Sequence, residues 1–174
     1  MLTRTLRSVA AARRLPLTLA HTKVFDDMPE IIGIDHIYVA VSDLAISERF
    51  YDKVFCQALG FKKSSFDLGG EPHIQYFNRH FGYVIRPSKI IVSAPRDAPG
   101  LHHFCLRVES IEEVKSLSEH LRNLGIPATM AENYPEYAPD YWATFFNDPD
   151  GTALEVTNFR EERRLRYENW KSQG

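Results

Sequence analysis

The chain lacks the features that mark disulfide-linked, membrane-spanning or nucleic-acid-binding proteins. Its only two cysteines, Cys56 and Cys105, lie in apolar periodic segments without metal-type spacing, which predicts buried reduced thiols. No apolar run approaches the roughly 18 residues of a transmembrane helix. A formal net charge of −2 offers no electrostatic footprint for nucleic acid. We therefore predict an intracellular globular protein with neither nucleic acid nor a membrane as partner.

Acidic residues are absent from positions 1–25, although the segment carries four arginines and one lysine. Serine, threonine, alanine and leucine fill most of the remaining positions, and there is no continuous apolar core of the secretory type. An amphipathic, arginine-rich and acid-poor start is typical of a mitochondrial transit peptide. We therefore predict that residues 1–25 direct the protein to the mitochondrial matrix. A disordered basic tail is the alternative and would leave the protein in the cytoplasm.

The rest of the chain contains a diverged internal repeat. Residues 36–41 (HIYVAV) align with residues 103–108 (HFCLRV), and each copy is followed by a helix-start signal. Each predicted helix closes on a Leu-Gly pair, at Gly60 and at Gly125, where glycine suits the left-handed C-cap. The repeat predicts module one at 31–88, a linker at 89–100, module two at 101–158 and a C-terminal tail at 159–174.

Each module is predicted to run strand, helix and then three strands, which is an α+β pattern. Placed side by side, two such βαβββ modules would form one curved mixed sheet around a cleft. The predicted helices are 44–58 and 111–123. The predicted strands are 34–41, 61–67, 73–80, 83–87, 101–108, 126–131, 141–146 and 152–158.

Three residues on predicted strands carry the donor groups of an open divalent-metal site. They are His36, His103 and Glu155, and two imidazoles with one carboxylate leave coordination positions for water and substrate. The alternative is that the histidines are satisfied core residues and Glu155 is a surface carboxylate. His102 competes with His103, but strand alternation predicts that it points to the opposite face.

The segments DHIYVAVSD, LHHFCLRVES and DPDGTALEV, read together, resemble the vicinal oxygen chelate superfamily of glyoxalases, fosfomycin-resistance proteins and extradiol dioxygenases. The resemblance covers residues 31–158 and implies one domain of this fold. It also implies a metal in the cleft held by His36, His103 and Glu155. The family's fourth ligand position falls on Arg86 when Gly82 is matched with Gly151, so only three protein ligands are expected.

Four further residues are candidates for chemistry or substrate binding. Tyr137 and Tyr141 lie in a proline-containing segment that would suit a substrate lid, although packing of aromatic rings at a sheet edge explains them equally well. His73 is a candidate general acid or base, with an exposed edge histidine as the alternative. Arg86 is a candidate for holding an anionic group of the substrate, with a structural ion pair as the alternative.

These residues predict a metal-dependent enzyme that acts on a small substrate chelating the ion through two neighbouring oxygens. Oxygenase chemistry with Fe²⁺ is favoured because three ligands leave open positions, while Mn²⁺, Zn²⁺ or Ni²⁺ would suit other reactions. The alternatives are an isomerase resembling lactoylglutathione lyase and a non-catalytic binding protein of the resistance type. A homodimer, with modules paired within one chain or exchanged between two, is also open.

Overall fold

The computed structural model describes residue 29 and residues 31–91, 99–160, 165 and 168–169. The predicted transit peptide and most of the predicted linker and tail therefore lie outside the described residues. Everything described from residue 33 onward belongs to one unit, Gly33–Gly174. Within the described part of the chain, no helix is long and apolar enough to cross a membrane.

Module one forms a four-stranded sheet with one helix. Its strands are β1 (His36–Val41), β2 (Lys62–Leu68), β3 (Glu71–Phe77) and β4 (Gly82–Pro87), in the order β1-β4-β3-β2. The β1–β4 pair is parallel and the other pairs are antiparallel. Helix α1 (Leu44–Tyr51) continues as a π-helical segment, Asp52–Ala58. The Asp43 side chain caps α1 by accepting from the Ile46 backbone N–H at 2.9 Å.

Module two repeats this topology. Its strands are β5 (His103–Val108), β6 (Glu132–Asn133), β7 (Trp142–Asn147) and β8 (Ala153–Asn158), in the order β5-β8-β7-β6. Helix α2 (Ile111–Asn123) has the predicted bounds. Ser110 caps it by accepting from the Glu113 N–H at 3.2 Å, while the Glu113 carboxylate accepts from the Glu109 N–H at 2.8 Å.

The predicted α+β class with two βαβββ modules is confirmed, but the strands pair into two four-stranded sheets, one in each module. The prediction of a strand at 126–131 is wrong. Pro127 has no N–H to donate to a ladder, and the Thr129 carbonyl accepts instead from the hydroxyls of Ser118 and Thr144, at 2.8 and 2.7 Å. Only the two-residue strand β6 follows this segment.

The two modules share one apolar core, built from the helix-bearing faces of both sheets. Along β1 the side chains of Ile37, Val39 and Val41 face this core, and the alternate residues, including His36, are exposed. The same alternation holds along β5, where His103 belongs to the exposed set. The buried core members are Val41, Tyr51, Val54, Phe55, Phe61, Ile74, Tyr76, Tyr83, Ile85, Leu117, Leu121, Ile126, Phe146, Leu154 and Val156.

A buried polar cluster links the modules inside this core. The Tyr51 hydroxyl donates to Asp148 Oδ2 at 2.7 Å and lies 2.8 Å from the Tyr83 hydroxyl. Asp148 Oδ1 accepts from the N–H groups of Asp150 and Thr152 within its own turn, at 3.0 and 2.7 Å. The turn at residues 148–151 therefore connects module two to α1.

A second contact at the same turn crosses the modules. Asp150 accepts hydrogen bonds from the backbone N–H and the hydroxyl of Ser42, the residue that follows β1.

Burial raises the pKa of the Asp148 carboxyl, while the hydrogen bonds from Tyr51 and Thr152 act in the opposite direction. The folded state therefore favours the neutral form of this carboxyl more than the unfolded chain does.

We expect Tyr51→Phe to lower the free energy of unfolding by about 1–3 kcal/mol, because it leaves a buried carboxylate oxygen without its donor. Urea unfolding measures this loss. The matched control is Tyr137→Phe, since Tyr137 is 64% exposed and should stay within about 0.5 kcal/mol of wild type. Equal effects of the two substitutions would contradict a linking role for the Tyr51–Asp148 contact.

The raised pKa of Asp148 also predicts a pH dependence. A carboxyl with a raised folded-state pKa stabilises the fold below its unfolded pKa, and that stability is lost as the pH rises through the folded pKa. We therefore expect the unfolding free energy of wild type to fall relative to Asp148→Asn as the pH rises from about 4 toward 7. Urea unfolding of both proteins at each pH measures the difference, and a constant difference would refute the expectation.

Candidate metal centre

His103 and Glu155 meet on the open face of module two. Strands β5 and β8 are parallel neighbours, and Cys105 is the register partner of Glu155, so His103 lies two residues along on the same face. His103 Nε2 is 3.3 Å from Glu155 Oε2. Glu155 is only 4% exposed, and a buried carboxylate requires cationic or hydrogen-bonding partners. This pair therefore provides a nitrogen and a carboxylate donor that already converge.

Tyr141 holds the other oxygen of the same carboxylate. Its hydroxyl donates to Glu155 Oε1 at 2.5 Å. Burial, followed by the hydrogen bond to Glu155, raises the pKa of Tyr141, so the phenol stays protonated and acts as a donor. The Arg160 guanidinium carbon lies 4.3 Å from the centre of the Tyr141 ring. Tyr141, a predicted catalytic residue, is therefore fixed beside the candidate ligand.

A cavity of about 530 Å³ opens above this pair. His103 and Glu155 supply polar groups to its wall, and Tyr137 and Phe145 are among the aromatic residues that line it. The Tyr137 ring packs edge-on against Tyr141 with centroids 5.4 Å apart. Polar donors in a mostly apolar cavity are typical of a small-molecule site. The predicted lid segment thus forms one wall of the cavity beside the candidate ligands.

Cys105 and His102 differ from expectation. Cys105 as a whole residue is exposed on the open face rather than buried. Neighbouring groups nevertheless desolvate its thiol, and this desolvation, followed by the charge of Glu155, raises the thiol pKa to about 12. The thiol therefore stays protonated and is a poor nucleophile. His102 was expected on the opposite face, but β5 begins only at His103. Strand alternation therefore does not apply to His102. The Nδ1 atoms of His102 and His103 lie 2.7 Å apart.

His36 lies in a different hollow, of about 360 Å³, on the open face of module one. Its Nδ1 is 2.7 Å from Asp35 Oδ2, an arrangement that leaves Nε2 for another partner. A carboxylate on the far nitrogen is the usual support of a metal-binding histidine, because it fixes the ring and its tautomer. Asp35 is next to His36 in the sequence, and this adjacency is the signal from which the contact between them could have been predicted.

The structure does not bring the three predicted ligands together within one chain. The hollows that contain His36 and His103 share no lining residue. Across the described ranges, no group of three or more His, Cys, Asp or Glu residues is arranged to hold a metal. The reason is that both open faces point away from the shared core. The donor types still fit a divalent ion, so the ligand roles stay a prediction.

Arg86 is not the repeat equivalent of Glu155. His103 is paired with Ala153, two residues before Glu155, whereas His36 is paired with Gly82, two residues before Val84. Gly82 is the first residue of β4, whereas Gly151 precedes the first residue of β8 by two positions. Matching Gly82 with Gly151 therefore gave the wrong register. The equivalent position is thus the apolar Val84, and the expectation of three protein ligands is unchanged.

Arg86 and His73 have structural partners in module one. Arg86 Nη1 lies 3.3 Å from Glu71 Oε2, and Lys89 Nζ lies 2.8 Å from the other oxygen of the same carboxylate. His73 is 3% exposed, so the alternative of an exposed edge histidine is wrong. Its Nδ1 donates to the Glu71 carbonyl at 2.8 Å, and Phe66 stacks on its ring at 5.0 Å. Their proposed substrate and catalytic roles stay predictions.

Two βαβββ modules, each a four-stranded mixed sheet with a helix, define the fold class of the chain. Residues 33–156 match the family profile of the Glyoxalase/Bleomycin resistance protein/Dioxygenase superfamily. The chain therefore belongs to this superfamily, as the resemblance read from the sequence predicted. The match spans nearly all of the described strands and helices.

Individual relatives agree with this assignment. The chain is 26% identical over 148 residues to the metallothiol transferase FosB of Bacillus licheniformis, covering 79% of this chain and 82% of that protein. A glyoxalase/bleomycin resistance/dioxygenase domain from Frankia has a TM-score of 0.61 and 24% identity, with 75% and 100% covered. FosX of Listeria monocytogenes, with Mn(II) and a dihydroxypropylphosphonic acid, has a TM-score of 0.58 and 18% identity, with 79% and 99% covered.

We expect Tyr141→Phe to weaken Mn²⁺ binding by about 10- to 100-fold, because the substitution removes the hydrogen bond that orients Glu155. Isothermal titration calorimetry of metal-stripped protein gives the dissociation constant. Tyr137→Phe is the matched control, since its ring borders the same cavity but no hydrogen bond between its hydroxyl and Glu155 is present. An unchanged constant in Tyr141→Phe would show that Glu155 needs no such support or binds no metal.

Proposed function

We propose that the protein is a divalent-metal-dependent enzyme for a small substrate that chelates the ion through two neighbouring oxygens. His103 and Glu155 of one copy bind the metal together with His36 of a second copy. The observation that carries this proposal is the contact between His103 and the buried Glu155 at a cavity, while Asp35 presents His36 on a separate open face. Each chain therefore holds two complementary parts of a three-ligand site.

The open face of module one also exposes apolar side chains to solvent in the single chain. Tyr38, Phe66 and Leu68 lie on it and are 43%, 39% and 62% exposed. Exposed apolar side chains on one face favour association. In a two-fold dimer the same contact forms twice, so the module-one face of each copy would cover the module-two face of the other and two sites would arise. A second copy is thus the occupant that covers the face and completes the ligand set.

A bound ion with open positions would act as a Lewis acid that polarises the substrate oxygens. The chain's own groups have separate tasks. The Tyr141 hydroxyl donates a hydrogen bond to the Glu155 carboxylate and keeps that ligand oriented. The Asp35 carboxylate accepts a hydrogen bond from His36 Nδ1 and so orients the His36 ring. The apolar and aromatic wall that includes Tyr137 and Phe145 excludes water from the reacting end of the cavity.

The relatives support this proposal without fixing the reaction. FosB is named as a metallothiol transferase, and the FosX structure holds Mn(II) with a compound that carries hydroxyls on neighbouring carbons. The FosX structure favours Mn²⁺ as the ion, whereas the three-ligand set favours Fe²⁺. Oxygenase chemistry stays the preferred reaction because the apolar Val84 supplies no fourth ligand, which argues against an isomerase of the lactoylglutathione lyase type.

Metal analysis of the anaerobically purified full chain tests the proposal. We expect wild type to contain nearly one Fe²⁺ or Mn²⁺ per site. His36→Ala, His103→Ala and Glu155→Ala should each weaken metal binding by more than about 100-fold. His120→Ala is the control, because His120 is an exposed histidine on α2. Oxygen uptake with catechols then tests the oxygenase reaction. Metal binding that survives all three substitutions would refute the site, and bound metal without turnover of any vicinal-oxygen substrate would favour the binding-protein alternative.

Mixing variants tests whether two copies build the site. His36→Ala and Glu155→Ala chains, each inactive in metal binding, should regain about a quarter of the sites when unfolded together and refolded at equal concentration, because half of the dimers are mixed and each holds one intact site. Metal content and sedimentation are measured together. No recovery in a mixture that sediments as dimers would show that the ligands do not come from two copies.

A further inference from the structure

We propose that the hollow beside His36 is a subsite for an anionic group of the substrate, with Lys62 and Arg79 as its cations. The inference rests on the proposed function only in taking His36 as the metal end of the site. Arg79 lines this 360 Å³ hollow together with Ser64, Gln75 and Asn78. The subsite therefore combines cationic and neutral hydrogen-bonding groups next to a candidate ligand.

The hollow beside His36 adjoins a second hollow of about 580 Å³. Residues 77–80 line both hollows. Lys62 lines the second hollow, and its register partner on β3 is Phe77. Lys62 and Ser64 lie on the same face of β2 because they are two residues apart. An extended ligand could therefore run from His36 past Arg79 to Lys62.

The two cations of the subsite differ from three neighbouring cations. Lys63 and Arg86 of module one and Lys89 of the linker each contact a carboxylate within 3.3 Å. Among the described residues, neither Lys62 nor Arg79 forms an ion pair with a carboxylate, and Asp35, the acid at this hollow, is paired with His36. Two uncompensated positive charges at one end of a hollow create a local potential that favours an anion.

The turn between β3 and β4 fixes the position of Arg79. Asn78 Oδ1 accepts from the N–H groups of His80 and Phe81 at 2.8 and 3.2 Å, and the Asn78 N–H donates to the Phe81 carbonyl at 3.2 Å. Arg79 Nε donates to His80 Nε2 at 3.1 Å. A guanidinium held through Nε still presents its terminal nitrogens, the groups that contact carboxylate and phosphate oxygens.

Gln75 lines the same hollow as Arg79 and lies close to His36. Its side-chain nitrogen lies 3.1 Å from the point that a Cβ atom on Gly82 would occupy, and the His36 Cβ lies 3.5 Å from that point. The missing side chain of Gly82 therefore lets the amide sit between His36 and the turn. An amide there can donate to a ligand oxygen that spans the metal end and the cationic end.

The chemistry identifies the class of ligand. Arginine and lysine with amide and hydroxyl donors recognise a carboxylate, phosphonate or phosphate group. The substrate would then have two parts, neighbouring oxygens for the metal and an anionic group for the subsite. Such a two-point attachment fixes the orientation of the substrate and lowers the entropic cost of reaching the reactive geometry.

The test uses methylphosphonate and inorganic phosphate as probes on the metal-stripped full chain. Backbone amide shifts in NMR spectra report the site of binding and the dissociation constant. We expect saturable shifts at residues 77–82 and a loss of affinity of about tenfold or more in Arg79→Gln and in Lys62→Gln. The control is Arg122→Gln, because Arg122 is an exposed cation on α2 in module two.

Gly82→Ala supplies a variant that leaves every charge in place. Its Cβ would meet the Gln75 amide at 3.1 Å, so only the flexible end of that side chain has to move. We expect weaker probe binding with an unchanged unfolding midpoint. Equal dissociation constants in Arg79→Gln and Arg122→Gln, or no saturable shift in wild type, would overturn the subsite.

Failure of the proposed function is distinguishable from failure of the subsite. If wild type binds no divalent metal but still binds methylphosphonate in an Arg79-dependent manner, the metal-dependent function is wrong and the subsite is upheld. If wild type binds metal and Arg79→Gln leaves both probe binding and substrate KM unchanged, the metal site is upheld and the subsite is wrong.

Discussion

The shared core between the helix-bearing faces of the two sheets is the constraint on which the rest of the structure depends. The Tyr51–Asp148 contact lies inside it, and the turn that contains Asp148 reaches back to the end of β1 through Ser42. A buried carboxyl is expensive to leave unpaired, so this cluster fixes how the modules meet as well as stabilising them. Alternation along each strand then places every candidate ligand on a face that points away from the core.

That arrangement explains why the site is divided. His103 and the buried Glu155 already converge, with Tyr141 on the other carboxylate oxygen, whereas His36 is held by Asp35 on its own face. Neither part alone gives the three donors of an open divalent site. Pairing two copies through these faces satisfies the exposed apolar residues and the incomplete ligand set at once, which is why one assembly is proposed for both purposes.

Local features were predictable where local interactions control them. Helix α2 has the predicted bounds because Ser110 and Glu113 complete its capping pattern within a few residues. The strand at 126–131 failed because Pro127 cannot donate and side-chain hydroxyls satisfy the neighbouring backbone. Arg86 was matched to the ligand position in place of Val84 because turn length, which differs between the modules, sets strand register.

The sequence by itself determined the family, the repeat and the residues that carry donor groups, because these depend on residue type and on periodicity along the chain. Only the tertiary structure decided which of those residues meet. Two modules can pack their apolar helix-bearing faces against each other, or they can lie side by side in one curved sheet. The periodicity of the sequence is the same in both cases. The fit of Tyr51, Tyr83 and Asp148 in the core selects the first arrangement, and so separates His36 from His103 and Glu155.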